Sequence, residues 1–253
     1  MNAKKHLNWR ATSLLSLFTT FLAVSMVVYL AVPAFAHDSR ERARHSRESI
    51  QAVEKARFTL DSFMNDSNMG AFRDLLKDAK GVLIVPQMLK GAFVVGASGG
   101  NGVLLVRDEK TGQWTGPAFY TIGGGSFGLQ IGGEASEVIL LAMTDRGVNS
   151  LLANSFKLGA DAGLAAGPVG VGVSAATANL SADILSFSRS KGLYGGISLE
   201  GAVVAVRGDW NDAYYGKNNV SPADILVRRD VTNPHSAALI SDLSRSACTV
   251  GRC

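Results

Sequence analysis

Residues 96–107 read Gly96-Ala97-Ser98-Gly99-Gly100-Asn101-Gly102-Val103-Leu104-Leu105-Val106-Arg107. A run of small residues meets a continuous apolar run, and this juxtaposition recurs through the middle of the chain. Gly and Asn tolerate positive φ, so residues 98–102 predict a hairpin turn between strands at Ala92–Ala97 and Val103–Arg107. Upstream, Val82-Leu83-Ile84-Val85 is a buried strand that Pro86 should end. Downstream, Phe119–Ile122, Phe127–Ile131, Ser136–Met143, Val169–Ala178, Ile184–Ser188, Leu193–Leu199 and Gly201–Arg207 read as further strands, with a helix over Asp145–Asn154. Of the 28 glycines, 25 fall between Gly81 and Gly208, and no G-x-y period runs through them, which excludes collagen. Strands joined by turns rather than long helices favour an antiparallel sheet or a closed barrel over a doubly wound fold. The apolar runs are short and unbroken, whereas an outer-membrane barrel alternates over ~10 residues, so that class is disfavoured.

The flanks are helical in pattern. Ile50, Val53, Ala56, Leu60, Phe63 and Met64 recur at three- and four-residue steps, the period of an amphipathic helix. Asp66–Gly70 breaks it, and Phe72, Leu75, Leu76 and Ala79 suggest a second, shorter helix. Ser221-Pro222-Ala223-Asp224 is a helix start with Ser221 as N-cap, and a terminal helix is expected after Pro234. The fold class is α+β: an antiparallel β-rich sheet or closed barrel with an N-terminal amphipathic helix and short peripheral helices. The expected segments are a leader at 1–36, a helical arm at 37–80 integral to a β-rich domain at 81–230, and a tail at 231–253.

Lys4, Lys5 and Arg10 precede an uncharged run over 11–36 that closes on Ala34-Phe35-Ala36. This is the layout of a secretory signal peptide cut before His37. An uncleaved anchor is the alternative, because the run approaches the ~20 residues that span a bilayer. Without the leader the chain carries 22 basic and 21 acidic residues, a net of +1, so binding of nucleic acid through bulk charge loses its support. An exported chain is expected in the periplasm or outside the cell, where Cys248 and Cys253 can close a small terminal disulfide ring. Two free thiols, or pairing with another chain, are the other options.

The chemistry-bearing patterns are sparse. None of His6, His37, His45 and His235 lies between Gly81 and Gly208, which removes Ser-His-Asp and Cys-His catalysis from the β-rich part and leaves a zinc site without ligands. Gly123-Gly124-Gly125-Ser126 could approach an anion, but it lacks the Lys of a P-loop and reads better as a bulge or close strand crossing. Asp161, Asp183, Glu134 and Glu137 could supply paired carboxylates, yet turn formation and local hydrogen bonding account for them more simply. No catalytic residue, metal or cofactor is expected. The helix poses the sharper question. At ~100° per residue Arg57 falls inside the apolar stripe and Phe58 outside it. Such an arginine either reaches an acid, for example Asp61 at i+4, or presents its head to lipid phosphate while Phe58 dips into the acyl boundary.

Five blocks in order resemble the SYLF domain: Ala79–Pro86, Pro117–Gly128, Leu158–Ala162, Ala166–Gly170 and Ser188–Gly201. The resemblance implies a non-enzymatic domain that binds acidic lipids, phosphoinositides in eukaryotes, through an N-terminal amphipathic helix and the adjoining surface. Lys55, Arg57, Phe58, Lys90, Arg189 and Lys191 are the expected lipid-binding residues. The expected partner is an anionic phospholipid or membrane surface, with an envelope protein as the alternative. Yeast members also bind actin, which is not expected as a partner of an exported chain. N-terminal sequencing of the exported protein should begin at His37; an intact Met1 in a membrane fraction would make the leader an anchor.

Overall fold

The structure is a computed structural model that describes residues 39–92, 95–127, 132–177, 179, 181–190, 193–195 and 199–248. Residues 39–44 are helical and exposed and belong to a separate unit; His45–Cys253 form the second, compact unit. In that unit residues 45–65 form helix α1, followed by α2 (Gly70–Leu76). Nine strands make one sheet: β1 (Gly81–Ala92), β2 (Val95–Arg107), β3 (Trp114–Phe127), β4 (Gly132–Ala142), β5 (Ser155–Lys157), β6 (Leu164–Ala166), β7 (Ile184–Ser190), β8 (Leu193–Gly195) and β9 (Val203–Val206). The order is β5-β9-β3-β2-β1-β4-β7-β6, with β8 on β7, and only β6–β7 is parallel. Among the described residues β5 and β6 stand at opposite ends and do not pair, so the sheet is open. Helices α3 (Asp145–Leu152), α4 (Gly208–Tyr215), α5 (Pro222–Leu226) and α6 (Ala237–Ser246) complete an α+β fold.

The unbroken apolar strands are explained by cover on both faces. Successive strand side chains point to opposite sides. Val82, Ile84, Val103, Leu105, Phe119, Ile139 and Leu141 join one core with α1, α2, α4 and α6. Leu83, Val85, Leu104, Val106, Tyr120, Val138 and Leu140 join the other, with α3, α5 and β5. An antiparallel sheet buried on both faces has no polar positions to alternate with.

Three expectations are corrected. Residues 98–102 do not turn: β2 runs straight through them, paired with β1 on one side and β3 on the other. Pro86 does not end β1, because a register shift between Ile84 and Gln87 takes it out of the ladder. The two facts are linked. A Cβ at Gly102 would lie 2.8 Å from the Ile84 carbonyl oxygen and 2.9 Å from the Val85 side chain, so the missing side chains of β2 make room for the bulge that accommodates Pro86. Third, the described part of Val169–Ala178, residues 169–177, is no strand. Left-handed Gly172 (φ 75°) and a short 3-10 turn at Ala175–Thr177 interrupt it. The Ser221 N-cap and the terminal helix form as read, and Asp224 completes a capping box with Ser221.

Gly167 shows how tightly the loop before β7 is packed, since a Cβ there would overlap the ring of fully buried Phe187. Gly167→Ala should lower stability by about 1–3 kcal/mol in urea titration, while Gly91→Ala, which meets open space, should be neutral.

Candidate functional site

Helix α1 carries the candidate surface, and its docking decides what remains outside. Ala52, Val53, Ala56, Leu60 and Phe63 are buried against the sheet, with Phe63 edge-on to Phe72 at 5.5 Å and Phe72 edge-on to Phe187 at 5.3 Å. Burial of Leu60 or Phe63 contributes about 1.5–3 kcal/mol each. Ile50, at the start of the stripe, is exposed.

Polar ties run along both edges of the helix. On one edge Arg57 Nε donates to Asp242 Oδ2 of α6 at 2.5 Å, and Glu54 meets His235 Nε2 at 3.0 Å. Arg57 therefore finds an acid 185 residues away rather than Asp61, whose carboxylate accepts from Asn65 at 3.0 Å. Solvent screens an exposed pair of this kind, so packing, and not the ion pair, holds α1 down. On the other edge Thr59 donates to Glu137 Oε1 at 3.0 Å. Arg189 reaches Glu137 Oε2 through Nε at 3.0 Å and Nη2 at 2.5 Å, bonds Ser62, lies 3.5 Å from Asp66, and stacks over Phe63 at 5.7 Å.

The expected lipid-binding residues are thus distributed over three places. Lys55 and Phe58 are exposed on the outer side of α1, Phe58 to 70%, with Arg57 beside them. Arg189 is engaged beneath the helix. Lys90 lies on β1 opposite Ser98 and Glu134. Two residues from Met88, which belongs to the core remote from α1, it faces the other side of the sheet. Lys191 and Cys253 lie outside the described residues, and with Cys253 the expected disulfide. Sequence reading missed Asp242 and Arg245, which share Arg57's edge: Asp242 Oδ1 takes a bond from Arg245. Their i,i+3 spacing on an amphipathic helix was the available signal. Between α1 and α6 opens a groove of about 610 Å³, its charged walls formed by Arg57, Asp61, Asp242 and Arg245 and its apolar part by Phe58, Leu60 and Met64.

The other carboxylates serve the fold. Asp161 accepts from the Lys157 N–H at 2.7 Å. Asp183 accepts from the Thr144 hydroxyl at 2.6 Å and the Gly163 N–H at 2.8 Å, which ties the start of β7 to the N-cap of α3. Among the described residues no three His, Cys, Asp or Glu side chains are grouped to hold a metal ion, and no helix is long and apolar enough to cross a membrane.

The class this defines is an α+β domain in which a long helix is strapped across a glycine-rich antiparallel sheet. Residues 123–246 match the family model described as Ysc84, Las17-binding protein actin regulator, and the chain belongs to this Ysc84, or SYLF, domain family. It is 32% identical over 178 residues to Protein YSC84 of Saccharomyces cerevisiae, covering 68% of this chain and 37% of that protein. It is 30% identical over 183 residues to SH3 domain-containing YSC84-like protein 1 of Xenopus laevis, covering 72% of this chain and 53% of that one. With LAS seventeen-binding protein 3 of Saccharomyces cerevisiae the identity is 33% over 149 residues, 57% of this chain and 32% of the relative. The chain thus spans about a third to a half of these relatives' length.

The Thr144 hydroxyl and the Gly163 N–H, with Arg146 nearby, hold the Asp183 carboxyl below the usual carboxylate range. As pH falls through about 4, an ordinary carboxylate in the unfolded chain takes up its proton first. The stabilisation is therefore complete above about pH 5 and is lost as pH drops through the depressed value. The urea midpoint should fall between about pH 5 and 3, and Asp183→Asn should make that fall shallower.

Proposed function

We propose that the chain is an exported, non-enzymatic domain that binds anionic phospholipid at a membrane surface through the outer face of α1. The relatives are named for binding and regulation rather than for a reaction, which supports a binding role. The observation that carries the membrane reading is Phe58, 70% exposed between Lys55 and Arg57 on a helix whose apolar stripe is already spent on the core. A docked helix cannot lay its stripe into lipid, so contact is peripheral, with one ring at the acyl boundary and cations at the phosphates. Each cation near an anionic surface adds about 1 kcal/mol and the ring about 1.5–3 kcal/mol. The sum corresponds to weak, reversible binding, near the millimolar range for a single contact. Lys90 belongs to the proposal as a second, separate contact, and Lys191, outside the described residues, is retained as a proposed lipid-binding residue.

A protein-interaction role in the cell envelope is the other reading, supported by relatives named for protein partners; actin is not proposed for an exported chain. Co-sedimentation with vesicles rich in phosphatidylglycerol separates the two. Lys55→Gln with Phe58→Ser should weaken vesicle binding about tenfold and shift stability by no more than about 0.5 kcal/mol. Unchanged binding by a stable variant would remove the interface from α1.

A further inference from the structure

The α1–α6 groove holds two guanidinium groups and one carboxylate that bridges them. Asp242 gives Oδ2 to Arg57 and Oδ1 to Arg245. Arg57 spends only Nε on this contact, and its Nη1 and Nη2 donate to no described residue. Arg245 is 75% exposed and Asp242 23%. Asp61, the other acid of the groove, is engaged by Asn65. The Arg57–Asp242–Arg245 cluster carries one positive charge, which the Asp61 carboxylate balances, so the groove as a whole is neutral, with unused donors beside an apolar floor of Leu60 and Met64.

We propose that Asp242 is a built-in counter-anion that restrains Arg57 and Arg245, and so limits the affinity of this groove for the phosphodiester of an anionic lipid. The inference rests on the membrane reading above and adds its regulation. A negative headgroup must approach donors that Asp242 already holds, against the repulsion of that carboxylate and of Asp61. Removal of the Asp242 charge leaves two cations against Asp61 alone, a net positive charge that one phosphodiester can balance. Asp242 contributes little to stability in return, because packing of the α1 stripe holds the helix.

The prediction has an uncommon sign: loss of an ion pair strengthens binding. Asp242→Asn keeps the side-chain volume and one acceptor oxygen while removing the charge. Its apparent affinity for phosphatidylglycerol-rich vesicles should rise about fivefold, with a steeper salt dependence and no gain on pure phosphatidylcholine. Arg245→Gln should weaken binding by a similar factor, and both variants should stay folded by circular dichroism at the assay temperature. Inorganic phosphate should displace the protein no better than chloride at equal ionic strength. Selective displacement by phosphate would make the groove a free-anion site and overturn the lipid assignment. If the wild type binds and Phe58→Ser weakens it, yet Asp242→Asn binds no tighter, the counter-anion role is wrong and the membrane reading stands. A wild type that ignores anionic vesicles sinks both.

Discussion

The sheet is apolar on both faces, and everything else in the compact unit follows from the need to cover it. Val82 and Ile84 face one core while Leu83 and Val85 face the other, so no strand register could leave a side to water. One face is covered by α1, α2, α4 and α6, and the cover is laid down from both ends of the chain. That is why α1, before the first strand, is fastened to α6, after the last. The aromatic chain Phe63–Phe72–Phe187 under one part of α1 and the edge-on contacts of Phe119 with Trp210 and Tyr214 elsewhere in that core give this layer its packing energy.

Once α1 is committed to the sheet, its surface chemistry is fixed by subtraction. Most residues that would form the apolar stripe of a free membrane helix are unavailable, and the exposed remainder is Ile50 and the Phe58 ring, with Lys55, Arg57 and the acids Glu54 and Asp61 around that ring. The same docking turns Arg189, a natural phosphate ligand by residue type, into a strut between Glu137, Ser62 and Asp66. Its partly desolvated head would be costly to release, since Glu137 would lose its ion pair and keep only the bond from Thr59. Binding at this surface is therefore a matter of a few exposed groups and of the acid that balances them.

The glycines have a role in strand packing that differs from the one their composition suggests. Gly100 and Gly102 sit against the bulge around Pro86, where a side chain on β2 would strike the β1 backbone or the Val85 side chain. Glycine permits a turn but does not compel one. When β3 pairs with every residue of the run and β1 with all but Gly102, the extended ladder satisfies more backbone groups than a hairpin tip would. Pro86 is tolerated inside β1 for the complementary reason: the register slips where the missing donor falls.

Sequence alone determined the features that depend on neighbours within a few positions. The amphipathic period of α1, the Ser221–Asp224 cap, the helix at Asp145, the apolar runs and the ordered SYLF blocks were all legible, and together they gave the α+β class. Only tertiary structure decided which face of α1 is spent, that Arg57 meets Asp242 rather than Asp61, that Arg189 is half-buried and engaged beside the helix, and that Lys90 lies on the opposite side of the sheet. Helical spacing constrains partners three or four residues away, but it carries no information about a carboxylate 185 residues distant. That pairing exists only because both ends of the chain are drawn onto one apolar face.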